Sequence, residues 1–259
     1  ITKATWAPGI WAGWNGAKVQ FAESDLSAFR ASTPSDNYVT VSSVDMKNRT
    51  ITLNEAPTST AAGDIIFFYE GLVPGGTPTY REPVGIVPAL DTAGTVWSID
   101  NSTYSLWKSP EIDVGGDILT FDAVQEAAAR IAENGGIGGR IRLYVSNLTF
   151  VDLIGDQAAL RRYGKADGTA KYVTGAEKIT FYTATGPVEI VPCIFIKRGY
   201  ALMLNLSTWM RTGAQEFAFG DPIDKQVFHR LESRAGADMR SYSNEAVFSE
   251  ALGQNALLY

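Results

Sequence analysis

Residues 119–155 read LTFDAVQEAAARIAENGGIGGRIRLYVSNLTFVDLIG, and they predict a helix, a strand and a second helix in direct succession. Thr120 is a typical N-cap residue, and Asp122 lies in the first turn, where the helix dipole favours an acidic side chain. Asn134 and Gly135 are typical of the end of a helix. Four apolar residues recur at helical spacing and should share one face: Phe121, Val124, Ala128 and Ile131.

The predicted strand alternates apolar and polar residues, as expected of a strand with one buried face. Its apolar positions are Ile141, Leu143 and Val145. Either Ser146 or Asn147 caps the second helix, which should continue through LTFVDLIGDQAALRRYG (148–164) with a break at Gly155. Further strands are predicted in KITFYT, PVEIVPCIFI and GYALMLNL.

Residues 1–80 predict several closely spaced strands, a spacing that is typical of a small barrel or sandwich. Asn15-Gly16, between two candidate strands, indicates a hairpin. A polar turn near Lys47-Asn48 divides residues 38–53 into two strands, and AAGDIIFFYEG (61–71) adds another. The N-terminal part of the chain is therefore predicted to be a β-rich domain.

The Pro- and Gly-rich stretch Gly71–Gly85 indicates a linker, and an irregular segment follows it. The C-terminal third predicts two or three long strands. The order of β-structure, then helix, strand and helix, then β-structure again, is an α+β pattern.

The composition sets limits on function. The chain has 259 residues and a net charge of −6, and only 19% of its residues are charged. Proteins that bind nucleic acid through phosphates usually carry a basic surplus, so tight, specific nucleic-acid binding is not expected. No apolar run approaches the roughly 18 residues that cross a bilayer, so no membrane partner is expected.

No residue pattern indicates catalysis, a cofactor or a metal site. The single histidine, His229, lies in the strand-like stretch KQVFHRLE, and no G-x-S-x-G motif is present. The single cysteine, Cys193, lies in an apolar run and should be a buried, inert thiol. Five carboxylates fall near the first helix, but nothing selects a pair of them: Glu111, Asp113, Asp117, Asp122 and Glu126. We therefore predict no catalytic, cofactor-binding or metal-binding residue, and no enzymatic activity.

Trp6, Trp11 and Trp14 form an aromatic cluster near the start of the chain. Such a cluster either stacks against a ligand or, more often, anchors a core or an interface. The first possibility supports an alternative function, a β-rich carbohydrate-binding or adhesin module. A hydrolase that uses scattered carboxylates is a third possibility.

One long region resembles a known family. TVWSIDNSTYSLWKSPEIDVGGDILTFDAVQEAAARIAENGG followed by RLYVSNLTFVDLIGDQAALRRYG is similar to the major capsid proteins of tailed bacteriophages with the Hong Kong 97-type fold. GPVEIVPCIFIKRGYALMLNLSTWMRTG resembles the strand-turn-strand that closes the family's axial domain. RAGADMRSYSNEAVFSEALGQNALLY resembles the returning peripheral strands. The resemblance covers about residues 90–259.

The resemblance implies a domain layout. Residues 1–80 would be a β-rich insertion domain, 81–114 a linker and irregular segment, 115–208 the axial domain, and 209–259 strands of the peripheral domain. No long spine helix is visible. Because the chain begins with Ile1 rather than Met, the spine helix and N-terminal arm are expected upstream of residue 1.

The resemblance also implies a function. The chain would self-assemble through pentameric and hexameric capsomers into the icosahedral shell that encloses a tailed phage's double-stranded DNA. Portal, scaffold or decoration proteins are possible partners. The protein would be located in the virion, after assembly in the host cytoplasm.

Three residues of the predicted axial domain are candidates for a subunit interface: Arg161, Arg162 and Tyr163. Two adjacent guanidinium groups repel each other unless anions lie near both, and a carboxylate of a neighbouring subunit would satisfy them. The alternative is an ion pair within the chain, with Asp156 or Asp152.

Overall fold

A computed structural model describes residues 1, 5–30, 38–57, 59–73, 79–80, 85–90, 94–101, 103–116, 118–138, 140–155, 179–183, 186–221, 223–232 and 235–259. These residues are mostly β-structure with few helices. They divide into two units. We call Ile1–Leu206 with Leu252–Tyr259 the packed unit, and Ser207–Ala251 the ribbon unit.

Among the described residues, the α-helices belong to the packed unit and are α1 (Pro8–Trp11), α2 (Ile86–Leu90), α3 (Phe121–Glu133) and α4 (Asn147–Gly155). In chain order, the strands are β1 (Lys18–Ala22), β2 (Val39–Asp45), β3 (Thr50–Leu53), β4 (Ile65–Phe68), β5 (Leu72–Val73), β6 (Thr79–Tyr80), β7 (Thr95–Val96), β8 (Ile99–Asp100), β9 (Glu111–Ile112), β10 (Ile141–Val145), β11 (Ile179–Thr183), β12 (Gly186–Pro192), β13 (Ala201–Asn205), β14 (Trp209–Ala218), β15 (Phe228–Arg230), β16 (Ala237–Met239), β17 (Tyr242–Ser249) and β18 (Ala256–Leu258). Strands β14 to β17 form the ribbon unit.

A six-stranded sheet with the order β11-β12-β10-β13-β18-β9 organises the packed unit. The pairs β10/β12 and β18/β9 are parallel, and the other neighbours are antiparallel. The structure therefore divides the predicted segment 209–259, since its last residues, 252–259, lie in the packed unit. The assignment of either part to a peripheral domain stays a prediction.

Helix α3 lies against one face of this sheet, and the predicted face residues are all buried. The same core cluster contains alternate residues of the strands, among them Ile141, Leu143, Val145, Ile190 and Met203. Thr120 Oγ1 accepts a hydrogen bond from the Ala123 amide at 3.4 Å, and Gly135 adopts a φ of +87° after the last turn. The predicted helix, its cap and its end are confirmed.

The second helix is capped by Ser146 and not by Asn147. Ser146 Oγ accepts a hydrogen bond from the Thr149 amide at 3.1 Å, and Ser146 is buried. This satisfies one of the amides that the first turn of a helix leaves without a partner. The described part of α4 is Asn147–Gly155. The predicted break at Gly155 and the continuation to residue 164 fall at the edge of the described residues and beyond it, so they stay predictions.

The N-terminal strands form an antiparallel four-stranded sheet with the order β3-β2-β1-β4. The predicted β2–β3 hairpin and the strand β4 are confirmed. In the hairpin turn, the Asp45 carboxylate accepts hydrogen bonds from the amides of Lys47 and Asn48. Hydrogen bonds from Asn48, chiefly from its backbone amide, lower the pKa of Asp45.

The hairpin predicted at Asn15-Gly16 is wrong. Gly16 does adopt a turn conformation with a φ of +80°, but the residues before it form α1 and not a strand. Pro8 stands at the start of α1, where its fixed φ suits a helix. The amide of Gly9 donates to the Ile194 carbonyl at 2.9 Å, and a Cβ at Gly9 would lie 2.8 Å from the Phe195 ring. The backbone of α1 thus packs on residues 194–195 and does not pair as a strand.

Two further expectations need correction. The predicted linker Gly71–Gly85 contains an antiparallel pair, because β5 pairs with β6 at Leu72↔Tyr80 and Val73↔Thr79. Cys193 is half-buried and not fully buried. It follows directly after β12, where its amide donates to the Val145 carbonyl at 2.8 Å.

Candidate assembly surface

The ribbon unit is built on one long antiparallel pair, β14 with β17. The register runs from Trp209↔Ser249 to Ala218↔Tyr242, with irregularities on both sides of Gln215. Among the described residues, no further strand pairs with β14 or β17. The described pair is therefore a two-stranded ribbon and not part of a larger sheet.

The ribbon unit buries no apolar side chain among its described residues. Its buried residues are Thr208 and Ser249, at the base of the ribbon. There Ser249 Oγ donates to Thr208 Oγ1 at 3.2 Å, and the Glu250 amide donates to the Thr208 carbonyl at 2.9 Å. A two-stranded ribbon without a hydrophobic core is marginally stable in water, so this unit is suited to packing against another surface.

Large apolar side chains are exposed at the far end of the ribbon. Phe217 and Phe219 contact each other edge to face, with ring centroids 5.7 Å apart. Phe228 and Met239 lie directly opposite each other in the hairpin β15–β16. Ile223, in the loop after β14, is exposed as well. The exposed fractions of the five residues are 66% for Phe217, 45% for Phe219, 93% for Ile223, 66% for Phe228 and 56% for Met239.

A polar network holds the loop between β14 and β15. The Asp221 carboxylate accepts a hydrogen bond from the Ile223 amide at 2.7 Å. That bond is the main cause of a lowered pKa of Asp221, with smaller contributions from the Asp224 amide, the Tyr242 hydroxyl and His229. The Tyr242 hydroxyl lies 3.3 Å from His229 Nε2. The single histidine is thus a partner of Tyr242 beside this loop.

The residues predicted for the subunit interface, Arg161, Arg162 and Tyr163, lie outside the described residues, as does Asp156. Asp152 is described, and its carboxylate lies 3.5 Å from an Arg198 guanidinium nitrogen. The assignment of the arginine pair therefore stays a prediction.

The tryptophan cluster is held by packing between its own rings. Trp6 and Trp11 are stacked with centroids 6.0 Å apart, and Trp11 and Trp14 lie 4.6 Å apart. Trp14 also packs on Phe68 at 4.5 Å. Trp6 is only 7% exposed. The prediction that these residues anchor a core is confirmed for Trp6, whose ring offers no open stacking surface.

The packed unit contains a cleft of about 500 Å³ beside α4. The lining contains both apolar residues and the Asp152–Arg198 ion pair. The lining residues include Val114, Ile118, Thr149, Asp152, Arg198, Tyr200 and Tyr259. Within the described ranges, no group of three His, Cys, Asp or Glu side chains could hold a metal ion. No helix in that part of the chain is both long and apolar enough to cross a membrane.

The exposed phenylalanines were not found from the sequence. Phe217 and Phe219 alternate in EFAFG, which is also the pattern of a strand with one buried face. The signal predicts a common side for the two rings, but it does not show whether anything covers that side.

No protein-family model and no curated protein sequence matches the chain. Among solved structures, the chain is similar to one from a "Cyanophage A-1(L) capsid asymmetric unit", with a TM-score of 0.46 and 14% sequence identity. The similarity covers 67% of this chain and 59% of that chain, so this chain spans less than two thirds of the neighbour's length. It is a distant similarity.

Proposed function

We propose that this chain is a major capsid protein, which self-assembles into the icosahedral shell that encloses a tailed phage's double-stranded DNA. The observation that carries the proposal is the ribbon unit, which buries no apolar side chain among its described residues and in which the described β14–β17 pair is joined by no further strand. A segment of this kind is stabilised when other protein surface covers it. In a shell, neighbouring copies supply that surface.

Assembly also suits the rest of the molecule. Each copy presents the same surfaces, so individually weak contacts are multiplied when a closed shell forms. The sequence segments that resemble the Hong Kong 97-type family include the helix α3, the strand β10 and the start of α4. We assign no catalytic step to the chain.

The charge of the chain is consistent with a container for DNA. With a net charge of −6, the protein lacks the basic surplus that would hold DNA tightly. We therefore propose that its main partners are other copies of itself, in pentameric and hexameric capsomers. Portal, scaffold or decoration proteins would be further partners, and the virion would be its location.

Within this proposal, Arg161 and Arg162 contact a carboxylate of a neighbouring subunit. Removal of one partner of a buried, hydrogen-bonded charge pair costs about 2–5 kcal/mol. Arg162→Glu should therefore leave the monomer folded by circular dichroism but block the formation of capsomers, and Arg161→Glu is the parallel test. If both variants assemble at the unmodified rate and with the same salt sensitivity, the interface assignment is wrong.

Negative-stain microscopy of the expressed full chain tests the function itself. We expect capsomers or uniform polyhedral shells. A matched variant in which a short Gly/Ser linker replaces residues 209–249 should remain folded in the packed unit but form neither. A monodisperse monomer that binds glycans would contradict the proposal and support the carbohydrate-binding alternative.

A further inference from the structure

We propose that the far end of the ribbon unit docks against the same end of a second copy, with Phe228 and Met239 at the centre of the contact. This inference rests on the proposed function and specifies one of its contacts. It places the contact on one face of the β15–β16 hairpin, and it adds reciprocal charge pairs between Arg230 of one copy and Glu232 of the other.

The two faces of this hairpin differ in what covers them. His229 points away from the Phe228 side, and it contacts the Tyr242 ring edge to face as well as its hydroxyl. That face is therefore occupied by the polar network of the ribbon unit itself. Phe228 and Met239, which pair across the two strands on the opposite face, remain exposed.

The exposed apolar surface is large enough for a specific contact. A fully accessible aromatic side chain contributes about 150–250 Å², so Phe217, Phe219 and Phe228, summed over the ribbon end, expose roughly 350 Å² at their exposed fractions. Ile223 and Met239 add to this area. This exposed area is comparable in size to the largest apolar patches of ordinary monomers, about 300–600 Å². With a polar rim, it suits an interface of about 800 Å² per partner.

The charges beside the patch favour a second copy as the occupant. Arg230 lies two residues from Phe228 on the same face, and Glu232 follows two residues later. Neither forms an ion pair with another described residue, whereas Asp238 on the other face lies 3.9 Å from Arg240. Both side chains are exposed, and a cation and an anion so close in the chain are self-complementary, because a two-fold axis can bring each beside its counterpart in the other copy.

The experiment measures self-association of the full chain by sedimentation velocity over a range of protein concentrations. Phe228→Ser with Met239→Ser should weaken association about tenfold or more, because aromatic anchors at the centre of an interface dominate binding. Both side chains are exposed, so the fold should survive, and circular dichroism checks this. The matched control replaces two exposed residues of the packed unit, Ile137→Ser with Tyr182→Ser. This double variant should change association little.

A charge exchange tests whether the contact joins like ends. Arg230→Glu and Glu232→Arg should each weaken association, because each places like charges together across the two-fold axis. The double variant should restore it. The matched control exchanges Arg130 and Glu126 on α3, which already pair within the chain, and should have no effect.

The outcomes separate this inference from the proposed function. Unchanged association of the Phe228/Met239 variant, in a chain that does self-associate, overturns the inference and leaves the function standing. Weakened association without rescue by the double charge exchange shows that the ribbon end docks elsewhere, and it overturns the like-end contact. A chain that stays monomeric at every concentration overturns both.

Discussion

Strand β10 of the packed unit and the ribbon pair β14–β17 show what a second layer of structure does for a strand. In β10, every second residue is buried, because α3 and its neighbours cover that face of the sheet. In the ribbon unit, long strands with apolar residues bury none of them among the described positions. Strand pairing alone therefore does not make a core, and the hydrophobic contribution to stability depends on what lies above the sheet.

The strongest test of this comparison truncates one apolar side chain in each unit. Leu143→Ala should lower the free energy of unfolding by about 2–5 kcal/mol, because it leaves a cavity in a fully packed core. Phe228→Ala should change the stability of the monomer by less than about 0.5 kcal/mol, because the ring is exposed. Urea denaturation followed by circular dichroism measures both values. Equal losses would mean that the ribbon unit has a core of its own.

The next largest effect is expected at the N-cap of α4. Ser146→Ala should destabilise the packed unit by about 1 kcal/mol, because the Thr149 amide would lose its acceptor in a buried place. Asn147→Ala is the matched control and should cost little, since Asn147 is exposed. Thermal unfolding of the two variants compares them directly. A larger loss for Asn147→Ala would reverse the assignment of the cap.

Two cross-strand ion pairs give a smaller effect that should still differ between the units. Arg142 and Glu189 are half-buried on β10 and β12, with Arg142 Nε 2.9 Å from Glu189 Oε2. Hydrogen bonds that Arg142 donates to the side chains of Tyr144 and Glu189 raise the pKa of Arg142. Arg211 and Glu245 pair across the more exposed ribbon. Double-mutant cycles should give about 0.5–1 kcal/mol for the first pair and less for the second, because water screens exposed charges.

Salt gives an independent check of the same comparison. The coupling energy of the exposed Arg211–Glu245 pair should decline more steeply with ionic strength than that of Arg142–Glu189. A stronger coupling in the ribbon pair would show that its surroundings exclude water, contrary to the exposure of the two side chains.

The smallest effect concerns the pH dependence of the loop at the ribbon end. Since the folded-state pKa of Asp221 is lowered, chiefly by the Ile223 amide, its carboxylate stabilises the loop above the ordinary aspartate pKa of about 4. That contribution is lost as the pH falls through the lowered pKa. In NMR titrations, the Ile223 amide signal should shift with a midpoint below that ordinary value, and Asp221→Asn should abolish the shift. A midpoint above it would contradict the hydrogen bond.

Much of the local structure was predictable. The apolar spacing of α3, the cap at Thr120 and the β2–β3 hairpin depend on residues only a few positions apart, so the sequence contains the complete signal. The failed hairpin at Asn15-Gly16 shows the limit. The turn conformation formed, but the residues before it form a helix that contacts residues 194–195, far along the chain.

The candidate surface was less predictable than the fold. The sequence identified Arg161, Arg162 and Tyr163 through their unusual charge, and these residues lie outside the described ranges. Phe228 and Met239 carry no such signal, since apolar residues in strands are ordinary. Only the absence of a covering layer in the described structure distinguishes them from core residues.

By itself, the sequence determined the helices α3 and α4, the alternation of β10 and the absence of a basic surplus, because these are properties of near neighbours or of composition. The tertiary structure decided which strands meet. Residues 256–258 enter the sheet between β13 and β9, beside residues 111–112 from much earlier in the chain. Just before this strand, only a glycine fits at position 253, because a Cβ would lie 2.2 Å from the Leu106 carbonyl oxygen. Such contacts depend on distant segments that come together only when the chain folds, so no local pattern contains them.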